Sequence, residues 1–188
     1  MKTNRHVSQR SAFTLIEMVG VLAVIAILAA LLVPKIFQAI NDSRFSSTVE
    51  SVNNVKTACM DYFGKVGSFP LTTTNGSFDH TMISSNCLEK PFMAKIAPDG
   101  ACVQVVSGTG NGGTAYKLDG TTATTATGNI VVECVLTNVA VADAWELSKR
   151  LDGDSLSAAD AASADAKGRV CYTMTSGNGL VYVYLAHK

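Results

Sequence analysis

The sequence predicts an α+β protein in which one long N-terminal α-helix carries a C-terminal globular head of antiparallel β-sheet packed on the helix. Three observations support this class. A long apolar run lies near the N-terminus. It continues into a stretch whose apolar residues recur every three or four positions, as they do on one face of a helix. The last third of the chain contains β-branched and aromatic segments separated by glycine-rich turns, which are typical of strands.

The first half of the predicted helix is apolar enough to cross a membrane. The run from Phe13 to Val33 has 21 residues, and a helix of that length spans roughly 30 Å, the thickness of a hydrocarbon core. The residues before it include Lys2, Arg5 and Arg10 and no acid, which predicts a cytoplasmic N-terminus and an exported C-terminal part. A cleaved secretory signal fits less well, because its apolar core has only about 7–15 residues.

Glu17 is the one charged residue inside this run. An acidic side chain at the centre of a bilayer costs about 2.5–3.5 kcal/mol on insertion scales, so it indicates a function and calls for a partner. The basic leader, the small residue Ala12 and the following Phe13-Thr-Leu-Ile-Glu17 resemble the class III signal of type IV pilins and type II secretion pseudopilins. The resemblance implies that a prepilin peptidase cuts between Ala12 and Phe13 and methylates the new amine. The family usually has glycine where this chain has Ala12.

Glu17 and Pro34 are the predicted assembly residues. After cleavage, the amine of Phe13 lies one helical turn from the carboxylate of Glu17. A pair formed between neighbouring subunits would offset both charges and set the axial stagger of a filament. Pro34 has no backbone N–H to donate to the carbonyl of Ala30, so we expect a kink in the helix at this point. The alternative for Glu17 is a carboxylate tolerated near the membrane interface.

Beyond Pro34 the pattern stays helical and becomes amphipathic, so one face of the helix must be covered. Gly64 and Gly67 predict its end, and Pro70 prevents it from resuming, which gives one helix over residues 13–63. The apolar positions after the proline are Phe45, Val49, Val52, Val55, Cys59 and Tyr62 or Phe63. The predicted segments are a cleaved leader (1–12), a transmembrane and polymerisation helix (13–34), an amphipathic spine (35–63) and a globular head (64–188).

Within the head, the sequence predicts strands over residues 102–106 and 129–136, because both segments are β-branched and apolar. Asn138 is the predicted N-cap of a helix from about Val139 to Leu151. The C-terminal part predicts a β-hairpin closed by a four-residue connection. Its predicted strands are 169–175 and 180–185, joined by Ser-Gly-Asn-Gly.

All five cysteines lie after the predicted cleavage point, in the part expected to be exported. We therefore predict at least one intrachain disulfide, with Cys87–Cys102 and Cys134–Cys171 as the pairs and Cys59 buried on the helix. Fifteen arrangements of two pairs and a singlet are open, and the alternative is that several cysteines are small core residues. No two cysteines share the short spacing of a zinc site.

Other patterns in the chain are weak. Gly108-Thr-Gly-Asn-Gly-Gly113 matches a dinucleotide fingerprint, but no βαβ pattern surrounds it. Asp152, Asp154, Asp160 and Asp165 could offer oxygens to calcium, which major pseudopilins similar to this chain bind, but a solvated turn is favoured because the fuller loop pattern is absent. We predict no metal, no cofactor and no catalytic constellation.

The resemblance implies that the chain is a structural subunit of a type IV pilus-like or type II secretion filament. The partners that it implies are other copies, prepilin peptidase, the inner-membrane assembly machinery and, before assembly, membrane lipid. The precursor is expected to cross the inner membrane once, with its head outside. Loss of the leader would change the count from 15 bases and 15 acids to 12 and 15, so nucleic acid is not an expected partner. The alternative is a membrane-anchored exported binding domain that does not polymerise.

Overall fold

The computed structural model describes residues 13–72, 76–108, 115–123 and 130–188. The chain divides into two compact units, Met1–Asp42 and Ser43–Lys188. The elements in chain order are α1 (Leu15–Val66), α2 (Ser77–Ser84), β1 (Ala101–Ser107), β2 (Ile130–Ala140), α3 (Val141–Asp152), β3 (Val170–Cys171) and β4 (Asn178–His187). The predicted α+β class, with a long helix and an antiparallel sheet, is confirmed.

The long helix predicted over residues 13–63 is α1, which begins two residues later and ends at Val66. It continues through Pro34. Gly64, predicted to help end the helix, lies inside it. The end falls at Gly67, whose φ of 77° is left-handed and whose N–H donates to the carbonyl of Phe63 at 2.7 Å. Glycine adopts this conformation without a side-chain clash, which explains the stop.

In the second unit, the remaining part of α1 shares one hydrophobic cluster with a four-stranded antiparallel sheet of order β1-β2-β4-β3. The helix contributes Phe45, Val52, Val55, Ala58, Cys59 and Tyr62, and the sheet contributes Val103, Val105, Val132, Cys134, Leu136, Val170, Val181, Val183 and Leu185. The predicted apolar positions of the spine therefore do face the core.

The opposite face of the sheet carries a second, smaller cluster centred on Tyr116, Val131, Cys171 and Tyr184. Tyr116 belongs to the segment 115–123, which is tied to the sheet by polar contacts. Its hydroxyl donates to the fully buried carboxylate of Glu133 at 2.6 Å, and Gln104 donates to the same carboxylate at 2.7 Å. Both faces of the sheet are therefore covered.

The prediction that Asn138 caps a helix starting at Val139 is wrong. Strand β2 runs on to Ala140, and its register with β4 shifts between Leu136 and Val139. Asn138 has a φ of 57° at this irregularity. Asparagine is favoured both as an N-cap and in the left-handed conformation, so its presence does not distinguish the two. Helix α3 begins at Val141 without a side-chain cap.

The C-terminal hairpin forms, but its connection is longer than the predicted four residues. β3 and β4 pair antiparallel through Val170 with Val183 and Cys171 with Tyr182. Because β3 ends at Cys171 and β4 begins at Asn178, the connection spans residues 172–177. Helix α2 was not predicted at all; it is short and follows a left-handed Gly76 rather than a capping side chain.

The outer edge of β1 is occupied by side chains. The N–H of Val103 donates to the carboxylate of Asp79 at 3.1 Å. The N–H of Val105 donates to the hydroxyl of Thr72 at 3.0 Å, and the N–H of Thr72 donates back to the carbonyl of Val105 at 3.1 Å. The edge strand of the sheet thus has partners for both of these outward-facing amides.

Candidate functional site

Thr14 and Glu17 form a reciprocal set of hydrogen bonds at the start of α1. The N–H of Thr14 donates to the Glu17 carboxylate at 2.7 Å, and the Thr14 hydroxyl donates to the same oxygen at 2.8 Å. The N–H of Glu17 donates to the Thr14 hydroxyl at 3.3 Å. This arrangement is a capping box, in which an N-cap threonine and a glutamate three residues later satisfy each other's amides.

The capping box explains why the helix starts at Leu15 and holds the Glu17 carboxylate at the positive end of the helix dipole. Hydrogen bonds from a hydroxyl and an amide stabilise the carboxylate but do not cancel its charge. An apolar environment therefore still requires a cation nearby. Sequence reasoning missed Thr14 as a contributor, although the Thr-x-x-Glu spacing of the capping box was present to indicate it.

The surface of α1 around and after this site is apolar and uncovered. The helix contains a window with a mean hydropathy of 2.8, and none of that window is buried. Its length and composition would allow it to cross a membrane. The exposed large apolar side chains are Phe13, Leu15, Ile16, Met18, Val19, Val21, Leu22, Val24, Ile25, Ile27, Leu28, Leu31, Leu32, Val33, Ile36, Phe37 and Ile40. A continuous exposed surface of this kind marks contact with lipid or with other protein.

The other predicted site residues are placed as follows. Ala12, with the leader, lies outside the described residues. Phe13 is 80% exposed and precedes the helix together with Thr14. Pro34 lies inside α1, far along the chain from Glu17. The structure therefore brings Thr14 and Glu17 together and leaves Phe13 accessible beside them.

The predicted disulfides are not formed, because all five cysteines are free. Cys134 and Cys171 lie in the clusters on opposite faces of the sheet. Their strands β2 and β3 are separated by β4, which places them roughly 10 Å apart, beyond the roughly 7 Å limit for a bridge. Cys87 contacts the Lys65 ammonium at 3.5 Å instead of Cys102. Only the burial of Cys59 is as predicted, with its thiol 3.6 Å from the sulfur of Met82.

We expect thiol counting on unreduced protein, unfolded in denaturant, to find five thiols per chain. The folded protein should react more slowly, because three of the five are buried. Burial raises the pKa of the Cys59 thiol to about 12, so little reactive thiolate exists near neutral pH. A count of three or fewer in denaturant would show that a disulfide forms after all.

The four aspartates considered for calcium are engaged separately. Asp152 accepts hydrogen bonds from Arg169 and Val170, and Asp165 accepts from Ser148 and Ala158. Asp160 accepts from Ala162 and Ser163 within its own turn, and Asp154 lies 3.4 Å from the Lys149 ammonium. Over the described ranges, no group of three or more histidine, cysteine or acidic side chains is arranged to hold a metal ion.

Comparison with known proteins locates similarity in the N-terminal segment. Residues 7–33 match the family described as the prokaryotic N-terminal methylation motif. No curated protein matches the chain. Among solved structures, the major type IV pilin PilA1 from Clostridium difficile is similar with 16% sequence identity and a TM-score of 0.45, over 78% of this chain and 97% of that one.

Proposed function

We propose that this chain is a structural subunit of an extracytoplasmic filament, either a type IV pilus or a type II secretion pseudopilus. The observation that carries the proposal is the Thr14–Glu17 capping box at the head of an exposed apolar helix, within a segment that matches the N-terminal methylation motif. Glu17 and Pro34 are assembly residues in this proposal.

The maturation pathway proposed for the chain follows from this segment. The precursor is inserted once through the inner membrane, with its basic leader inside and its head outside. Prepilin peptidase removes residues 1–12 and methylates the amine of Phe13, which is exposed and outside the helix. The inner-membrane machinery then extracts the subunit from lipid.

Polymerisation is driven by burial of the apolar helix surface. A helix leaving the bilayer must cover its side chains again, and each Å² of apolar surface removed from water contributes about 25 cal/mol. Packing against the same helix in other copies covers that surface. The Phe13 amine of one copy then supplies the counter-charge that the Glu17 carboxylate of another requires. The proposed role is structural, with no catalytic step.

Analysis of the mature N-terminus tests this proposal. We expect mass spectrometry of the chain, expressed with an active prepilin peptidase, to find N-methylated Phe13 at the N-terminus and the loss of 12 residues. The same gene expressed in a host lacking the peptidase should give the full-length chain. Recovery of intact Met1–Lys188 from both hosts would instead support a permanently anchored exported domain.

A further inference from the structure

Asp79 is a buried carboxyl at the junction of three parts of the head. It lies in the first turn of α2 and is 3% exposed. It accepts one hydrogen bond from the N–H of Val103 on the edge strand β1. It accepts another from the N–H of Phe92, in the segment between α2 and β1. One side chain thus joins α2, the sheet edge and the segment around Phe92.

The groups around Asp79 leave its charge largely uncompensated. The charge of Asp79 acts on thiols from three different elements, Cys59 on α1, Cys102 on β1 and Cys134 on β2. Burial raises the pKa of each of these thiols, so they are uncharged at neutral pH. Of the described residues, His80, next to it in α2, is the one whose charge favours the ionised carboxyl.

Burial of a carboxyl without an ion-pair partner favours its protonated form. Burial raises the pKa of Asp79 from its ordinary 3.8 to about 6, and the two backbone amides oppose the change without cancelling it. The folded chain therefore holds this proton up to about pH 6, whereas the unfolded chain releases it near pH 3.8. Proton binding by Asp79 therefore contributes its full stabilisation below pH 3.8, and this contribution is lost as the pH rises through about 6.

We propose that Asp79 is a pH-sensitive switch. It takes up a proton when the surroundings of the head become mildly acidic, and this protonation stabilises the fold. The hydrogen bond from Phe92 also connects Asp79 to a cavity of the same unit. That cavity, of about 530 Å³, is lined by α1 residues and by the segment 87–93. Phe92, which donates to Asp79, is part of this wall. Protonation thus acts on the edge strand and on the cavity wall together.

The test compares wild type with Asp79→Asn, in the full chain held in detergent micelles. Asparagine approximates the neutral, protonated carboxyl and cannot ionise. Urea unfolding is followed by the fluorescence of Trp145, the only tryptophan, which lies on α3 in the same unit. At pH 7.5 we expect the unfolding equilibrium constant of Asp79→Asn to be on the order of 100-fold lower than that of wild type, because the pKa of Asp79 differs by about two units between the folded and unfolded chain. At pH 4 the unfolding constants of the two proteins should be nearly equal.

Two further variants keep the result interpretable. Asp61→Asn removes an exposed carboxylate that pairs with Lys65, and its difference from wild type should not grow between pH 5 and 7.5. Asp79→Ala leaves the amides of Val103 and Phe92 without their acceptor, and it should be less stable than Asp79→Asn at both pH values. If the ratio of the unfolding constants of Asp79→Asn and wild type stays the same between pH 4 and 7.5, the proposal is overturned.

Discussion

Glu17→Leu should insert into the membrane and lose its leader, yet be absent from filaments. Insertion becomes easier, because leucine removes a charge from an apolar helix. The head, which belongs to the other unit, should fold as before. Incorporation should fail because the Phe13 amine of the neighbouring copy would enter the filament without a counter-charge, an uncompensated burial that costs about 3–5 kcal/mol. The measurement is the ratio of sheared filament to membrane pool at matched expression.

Glu17→Gln separates the charge of this residue from its capping role. Glutamine still accepts a hydrogen bond from the Thr14 N–H, so the start of α1 should be kept. If charge pairing drives assembly, this variant should fail to incorporate just as Glu17→Leu does. Met18→Leu, an apolar exchange at the next residue, should incorporate normally. If Glu17→Leu has the same ratio of sheared filament to membrane pool as wild type, Glu17 is not an assembly residue.

Asp152→Ala should destabilise the head by about 3 kcal/mol, because it breaks a largely buried charge pair and leaves backbone amides without an acceptor. The Asp152 side chain is 2% exposed. It accepts from the N–H of Arg169 at 2.8 Å, the N–H of Val170 at 2.9 Å and the Arg169 guanidinium at 3.2 Å. Burial raises the pKa of this carboxyl above its ordinary value, and the same donors oppose the rise.

Asp154→Ala is the matched control, since Asp154 lies two residues on, is 87% exposed and makes only a 3.4 Å contact with Lys149. It should change the free energy of unfolding by less than about 0.5 kcal/mol. Urea unfolding of the full-length variants in detergent measures the change in the free energy of unfolding for Asp152→Ala and for Asp154→Ala. Equal effects of the two substitutions would mean that the Asp152 network does not hold α3 to β3. Stabilisation of wild type by added calcium would instead revive the metal interpretation.

The features that were predictable from the sequence are those that depend on local pattern. The position of α1 follows from an apolar run and an amphipathic repeat, and the strands β1 and β2 follow from β-branched segments. The end of α1 was misplaced because both Gly64 and Gly67 are adequate stops in sequence. Only the left-handed φ of Gly67 distinguishes them.

The features that were not predictable depend on which segments meet in space. Cys134 and Cys171 are both in apolar, strand-like surroundings, and no local signal shows that their side chains belong to opposite faces of the sheet. Asp152 and Arg169 are 17 residues apart, and their pairing depends on the path of the chain between α3 and β3. At the proposed assembly site, Glu17 was identified by its cost in an apolar run, whereas Thr14 required attention to helix capping.

The occupied edge of β1 matters most when many heads are held side by side. A filament would bring them to a very high local concentration, at which an open strand edge can recruit a strand from a neighbour and start cross-β aggregation. Here Asp79 and Thr72 already hold the outward amides of Val103 and Val105. At the other side of the sheet, Tyr172, the residue after β3, exchanges backbone hydrogen bonds of 2.8 and 2.9 Å with Asp165. Because these edge groups already have hydrogen-bond partners, neighbouring heads can lie side by side without pairing their edge strands.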